Sequence, residues 1–398
     1  MRLSSSGSEP GLFDGVLARG PVRDEVGDGA WVAAMLQVES ALARAGAEEG
    51  LVPTGAAEAI ATACRAVHID VLRLADEAPA SGNPVVPLVA ALREALPADA
   101  AGYVHKGATS QDILDSAAML VARRALVPLL ADLHGAADAA AALARAHRDT
   151  PMAGRTLLQQ AVPTTFGLKA AGWMVALDEA TIRLDSVRRE RLAVQLGGAA
   201  GTLDALDPVG LAVLARLAQL LDLAEPVLPW HTDRTRPAEL ATSLGVAAGV
   251  VGKVARDVTL LAQNEVGEVA EGAPGGSSAM AHKRNPVAAV SAYACAAQAP
   301  GLVATLLGAM VHEHERAAGA WHAEWRPLRE LLVAVGSAAA WLRDCLEHLV
   351  VDPAAMRRNL DTLLRVLGAS EPDLGAAGAL VDRSLAAHAE AVLSWGQR

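Results

Sequence analysis

Four polar stretches interrupt a chain otherwise dominated by alanine and leucine, and each holds residue types that can bind anions or move protons. The first, GGSSAMAHKRNP (275–286), gathers two glycines, Ser277, Ser278, His282, Lys283, an arginine and Asn285. Glycines let backbone N–H groups converge on one point, while a lysine and an asparagine add a cation and an amide donor. The stretch reads as an anion site on a mobile loop; its Gly-Ser composition equally fits a solvated linker. The second, HKGATSQD (105–112), places His105 and Lys106 before Thr109, Ser110 and an aspartate at a helix start, where either hydroxyl also serves as an N-cap. The third, GRTLLQQAVPTTFGLKAAGW (154–173), sets Arg155, Thr156, Gln159 and Gln160 ahead of a proline-initiated helix, in positions that suit capping or anion contact. The fourth, HEHERAAGAWHAEWRPLRE (312–330), carries His312, His314 and His322. Two of these are two residues apart, whereas helical metal pairs sit three or four apart, so a metal site is disfavoured. Arg316 and Arg326 in this stretch could clamp carboxylates or form ion pairs between helices.

Helices must position these groups. Aromatic content of 3% with abundant alanine and leucine favours helix over strand, so an all-α protein is expected. Apolar residues recur at helical spacing over 112–147 (Leu120, Leu126, Leu130, Leu133), with Pro128 and Gly135 as possible kinks. They do so again over 237–271, 286–311 and 157–195. Several of these runs would reach about 40 Å, and alanine-rich faces let such helices approach closely, which points to a bundle of long helices. Breaks at 81–87, 101–112 and 348–356 divide the chain into an N-terminal helical part (1–104), a central bundle (105–347) and a short C-terminal part (348–398).

Composition narrows the function. With 398 residues, 52% of them hydrophobic and 20% charged, the chain can bury a large core. A formal charge of −11 without concentrated Lys and Arg argues against a nucleic-acid partner. Cys64, Cys295 and Cys345 are odd in number and far apart, which disfavours a disulfide framework or a zinc site and fits a reducing cytoplasm. The N-terminal stretch lacks the apolar core of a signal peptide, and no run reaches about 18 uninterrupted apolar residues, so a soluble protein with no membrane partner is expected.

Together the first three stretches resemble, in order and spacing, the three signature regions of the fumarase/aspartase superfamily. Within it, SGNPVVPLV, YVHKGATSQDILD, GRTLLQQA, GSSAMAHKRNPV and GAWHAEWRPLRELL look most like the cycloisomerase branch. The resemblance implies a three-domain all-α subunit, a homotetramer whose sites are shared between subunits, a di- or tricarboxylate substrate, and no metal or organic cofactor. It makes Ser277 the general acid/base that exchanges a proton α to a carboxylate. Lys283 and Asn285 would bind that carboxylate, with Ser278 beside them, and Thr109, Ser110, Thr156 and Gln159 would hold the remaining polar groups. His105 is the nearest candidate for a second proton-handling group, and Lys106 and Arg326 for further anion contacts.

The sequence also departs from the superfamily. Where many of its lyases carry a histidine in the third stretch and a glutamate after the signature asparagine, this chain has Leu157, Gln160 and Val290. A general acid matters most when an amine or hydroxide leaves. A carboxylate, whose conjugate acid has a pKa of about 4, leaves without a proton. The loss therefore favours a lactone opening to a muconate, or a lyase expelling another weakly basic anion such as nitrite. Lys106 adds a cation where the cycloisomerases carry an uncharged residue, and Ala281 replaces the loop's proline.

Overall fold

The computed structural model describes residues 11–280 and 282–396, so Ala281 lies outside the described residues. In the N-terminal part α1 (Asp28–Glu48) packs on α2 (Thr54–Ala66). Helix α3 (Ser110–Ala146) then runs unbroken for 37 residues, about 55 Å, with Pro128 and Gly135 both inside it. A β-hairpin follows, β1 (Pro151–Thr156) antiparallel to β2 (Gln159–Thr165), and α4 (Phe166–Glu190) returns along α3. Next come α5 (Gly210–Leu221), α6 (Thr235–Leu261), β3 (Val269–Glu271), α7 (Val287–Ala296), α8 (Ala299–Gly308) and α9 (Ala320–Glu347). Strand β4 (Leu349–Val351) pairs antiparallel with β3, and α10 (Pro353–Leu367) and α11 (Ala377–Gly396) close the chain.

Three helical runs differ from expectation. The residues 157–165 form a hairpin instead of a helix start: Pro163 sits in β2 opposite Ala153 and holds Val162 extended, and Val162, Thr164 and Thr165 suit a strand. The helix begins at Phe166, where the Thr165 hydroxyl accepts the Leu168 N–H at 3.0 Å. Helix α6 stops at Leu261, and the chain turns through Gly267 at φ +60° into β3. The 286–311 run splits into α7 and α8, with Pro300 in the first turn of α8.

Small side chains make the bundle tight. Ala117, Ala122, Ala125, Ala136, Ala137 and Ala140 of α3 are fully buried, and α4 and α9 both lie along this helix. The Trp173 indole donates to Asp257 at 2.7 Å and ties α4 to α6. The connections define two poles. Trp321 at the start of α9 donates to Asp115 in α3 at 3.0 Å, and Arg234, which precedes α6, bridges Asp115 and Glu324. The starts of α3, α6 and α9 therefore share the first pole. At the second pole the hairpin follows the end of α3, and the Gly272 N–H donates to His348 O, just past α9, at 2.9 Å.

Candidate active site

At the first pole the second polar stretch folds as an N-cap. Thr109 precedes α3, and the Asp112 carboxylate accepts its N–H at 2.9 Å. The same buried carboxylate accepts the Gly197 and Gly198 N–H groups, each at 3.0 Å, and contacts His231 Nε2 at 2.7 Å. Asp112 thus pins the 197–198 turn over the helix start. Arg316 donates to the Thr109 hydroxyl at 2.7 Å and to Ala199 O at 3.1 Å, so this guanidinium, and not that of Arg326, reaches the cluster. Gly107 has φ +75°, and a Cβ there would lie 2.3 Å from Leu206, so the turn needs glycine. His105, no glycine, also adopts a left-handed φ of +63°. Its backbone N–H and Nδ1 both meet Glu39 of α1, at 3.1 and 2.6 Å. Lys106 is exposed and Ser110 half-buried.

Beneath this cluster lies a charged knot. Arg234 donates to Asp115 at 2.7 and 3.0 Å and to Glu324 at 2.6 Å. Burial favours the neutral form of Asp115, but the charge and hydrogen bonds of Arg234, with those of Trp321 and Gln111, outweigh it and hold the carboxyl below the ordinary range. Glu324 goes the other way, because burial pushes it up and Arg234 offsets only part of the shift. The knot locks the first turns of α3 and α9 and the lead-in to α6 together. His312 belongs to it, with Nε2 3.3 Å from Glu324, whereas His314 is exposed and His322 packs against Trp325. The three histidines of the fourth stretch do not converge.

At the second pole the signature loop hangs from a fixed neck. The Glu271 carboxylate accepts the N–H groups of Ala288 (3.1 Å) and Ala289 (2.8 Å), capping α7. Gly275 and Asn285 exchange backbone hydrogen bonds at 2.9 and 3.0 Å, and a Cβ on Gly275 would fall 2.1 Å from Val287. Within the loop the Ser277 hydroxyl oxygen accepts the Met280 N–H at 3.2 Å and the Ala279 N–H at 3.4 Å. Donors on that oxygen favour its ionised form, which is what a serine base requires. The Asn285 amide donates to Gly276 O at 3.1 Å, so here it braces the loop. Ser278, His282 and Lys283 are exposed.

The hairpin stands at this pole as well. Arg155 forms a two-pronged ion pair with buried Glu268 (2.9 and 2.7 Å), which also accepts from the Asn359 amide at 2.8 Å. Thr156 and Gln159 pair across the tip and are exposed. Between them Leu157 and Leu158 have φ of +50° and +64°, the geometry of a tight hairpin turn usually made by Asn-Gly. They are 97% and 72% exposed.

One chain does not bring the two poles together. From Trp321 to His348 helix α9 spans about 40 Å, and even a fully extended run from Gly272 to Ser277 covers at most about 18 Å. Within a chain, Ser277, Ser278, Lys283, Asn285, Thr156 and Gln159 therefore stand apart from His105, Lys106, Thr109 and Ser110. Arg326 joins neither group: its side chain is 88% exposed, 3.3 Å from Glu330. Sequence reasoning missed Glu39 and the 197–198 turn. Glu39 left a signal, a lone carboxylate among the buried Met35, Leu36, Val38 and Leu42.

A chain with three polar signature regions at the ends of a long-helix bundle is a member of the fumarase/aspartase superfamily, and this chain belongs to its lyase family, whose profile matches residues 20–301. The 3-carboxy-cis,cis-muconate cycloisomerase of Bradyrhizobium diazoefficiens is 50% identical over 88% of this chain and 79% of its own length. Nitrosuccinate lyase of Streptomyces davaonensis is 48% identical over 89% of this chain and 77% of its own length. Among solved structures, the 3-carboxy-cis,cis-muconate lactonizing enzyme from Pseudomonas putida superposes with a TM-score of 0.89 at 38% identity, covering 96% of this chain and 99% of that one.

Proposed function

We propose that the protein is a 3-carboxy-cis,cis-muconate cycloisomerase that interconverts the muconate and 4-carboxymuconolactone, with Ser277 as general acid/base. In the opening direction the Ser277 alkoxide takes the proton α to a carboxylate, the lactone C–O bond breaks, and the ring oxygen leaves as a carboxylate. In the closing direction that tethered carboxylate adds across the double bond and Ser277 returns the proton to the neighbouring carbon. The charge that builds on the substrate carboxylate asks for donors and cations, which Lys283, Asn285 and the loop amides would supply. Thr109, Ser110, Thr156 and Gln159 would hold the other polar groups. The observation that carries this reading is the Ser277 oxygen receiving two backbone N–H groups on a loop of fixed neck, in a chain that lacks a histidine or glutamate at 157, 160 and 290.

A homotetramer with shared sites is part of the proposal, supported by the separation of the poles. The Val287–Gly308 run is apolar and long enough to cross a bilayer, yet it lies against α6 and α9, with Val290 and Tyr293 of α7 facing outward as a further chain would require. Cys64, Cys295 and Cys345 are free, which fits a cytoplasmic setting.

A nitrite-releasing lyase is the second reading, favoured by the 48% identity to nitrosuccinate lyase. Nitrite, like a carboxylate, needs no proton to leave. The deciding experiment follows ultraviolet loss of 3-carboxy-cis,cis-muconate in one cuvette and nitrite release from nitrosuccinate in another. Muconate loss without nitrite is expected; nitrite alone would overturn the cycloisomerase assignment.

A further inference from the structure

His105 is held from behind by a residue that no signature region contains. Its Nδ1 lies 2.6 Å from Glu39 Oε1, and its backbone N–H donates to Glu39 Oε2 at 3.1 Å. The Glu39 side chain is fully buried, whereas the imidazole retains 16% exposure. A ring nitrogen so close to a carboxylate oxygen carries a proton, so the tautomer is fixed and Nε2 is the nitrogen left over. Among the described residues Nε2 makes no hydrogen bond. The left-handed backbone at His105 is a further cost that the surrounding structure sustains, and the double contact with Glu39 is what holds it. The charged groups nearby on the other elements are cationic: Lys106 is adjacent, Arg316 is bound to Thr109, and Arg93 donates to Val104 O at 3.1 Å. Nε2 thus opens beside cations, with a single buried carboxylate behind the ring.

We infer that Glu39 is a positioning residue that aims His105 Nε2 at a carboxylate of the substrate, and that this carboxylate, on arrival, brings a second proton from solvent onto the ring. The resulting imidazolium donates forward from Nε2 to the substrate and backward from Nδ1 to Glu39. The balance is one proton taken from the medium per site and none moved between protein groups. The inference rests on the proposed polycarboxylate site and adds to it the residue that sets the histidine.

The test uses tricarballylate, a saturated tricarboxylate that cannot react. Its binding to the full-length protein at about pH 8, where a free imidazole is mostly neutral, is measured by calorimetry in buffers of different ionisation enthalpy. Proton uptake approaching one per site is expected for the wild type, close to none for His105→Gln, and a clear reduction for Glu39→Gln, which preserves an acceptor for Nδ1 but removes the charge. In turnover, Glu39→Gln should raise KM about tenfold with kcat changed less than about twofold, the mark of an interaction made equally in ground and transition states. A purely structural Glu39 would lower the melting temperature and leave proton uptake at the wild-type value, which would overturn the inference. Absence of uptake, or of tricarballylate binding, in an active wild type would also overturn it. Uptake in a wild type that leaves carboxymuconate unchanged would support the inference while removing the cycloisomerase assignment.

Discussion

Mixing two inactive variants tests whether the poles of different chains meet. Ser277→Ala removes the proposed base at the second pole and His105→Gln the histidine at the first, and each variant alone should turn over very slowly. Within a chain these residues are separated by the length of α9, about 40 Å, less the reach of the loop, which is at most about 18 Å. If one site takes Ser277 from one subunit and His105 from another, a random equimolar hybrid leaves each position intact half the time. About a quarter of the sites then hold both residues. Any further chain supplying the hairpin does not alter that fraction, since the hairpin is wild type in both parents. Co-expression with two affinity tags, isolation of doubly tagged oligomers and the muconate assay give the number. A second hybrid, wild type with the Ser277→Ala/His105→Gln double variant, sharpens it: shared sites again give about a quarter, whereas sites within one chain give about half. Activity near half in that hybrid, with no recovery in the first, would refute the shared site.

Three other perturbations follow from the same structure. Ser277→Ala alone should lower kcat by about a thousandfold while leaving the thermal midpoint unchanged, because the hydroxyl meets only backbone amides of its own loop; stopped assays and calorimetry check both. Replacing Leu157-Leu158 by Asn-Gly should stabilise the isolated fold by about 1–2 kcal/mol in urea titrations, since both leucines hold left-handed backbone angles. If the exposed tip also reaches a neighbouring chain, the same change should weaken the oligomer in sedimentation runs. Asp115→Asn should cost about 3–5 kcal/mol at neutral pH by leaving Arg234 with half its pairing. The native Asp115 carboxyl lies below its unfolded value, so its contribution is complete above about pH 4 and is lost as pH falls through the native value. The gap between wild type and variant should therefore shrink on acidification. Glu324, raised by burial, acts oppositely, reducing stability as pH rises through its native value.

Alanine-rich periodicity foretold the long helices, and glycine, proline and asparagine placed the signature loop and its neck. Both are local signals, and local chemistry produces both. The hairpin was missed because Arg155, Thr156 and Gln159 read equally well as a helix entry; what decides is Pro163, which forbids helix at Val162, together with the burial of Glu268 as anchor for Arg155. Arg326 shows the limit of motif proximity. It lies in a stretch of polar residues, yet α9 turns its guanidinium to solvent, while Arg316, just before the helix, reaches Thr109. Glu39 lies 66 residues from His105, and no spacing rule connects a carboxylate on an apolar helix face with a histidine in a loop. Its burial nevertheless demands a partner, since a carboxylate removed from water needs a donor or a cation close by. The residues that move protons lie in short motifs that sequence can show, and the residues that aim them lie on the helices that the fold brings up behind.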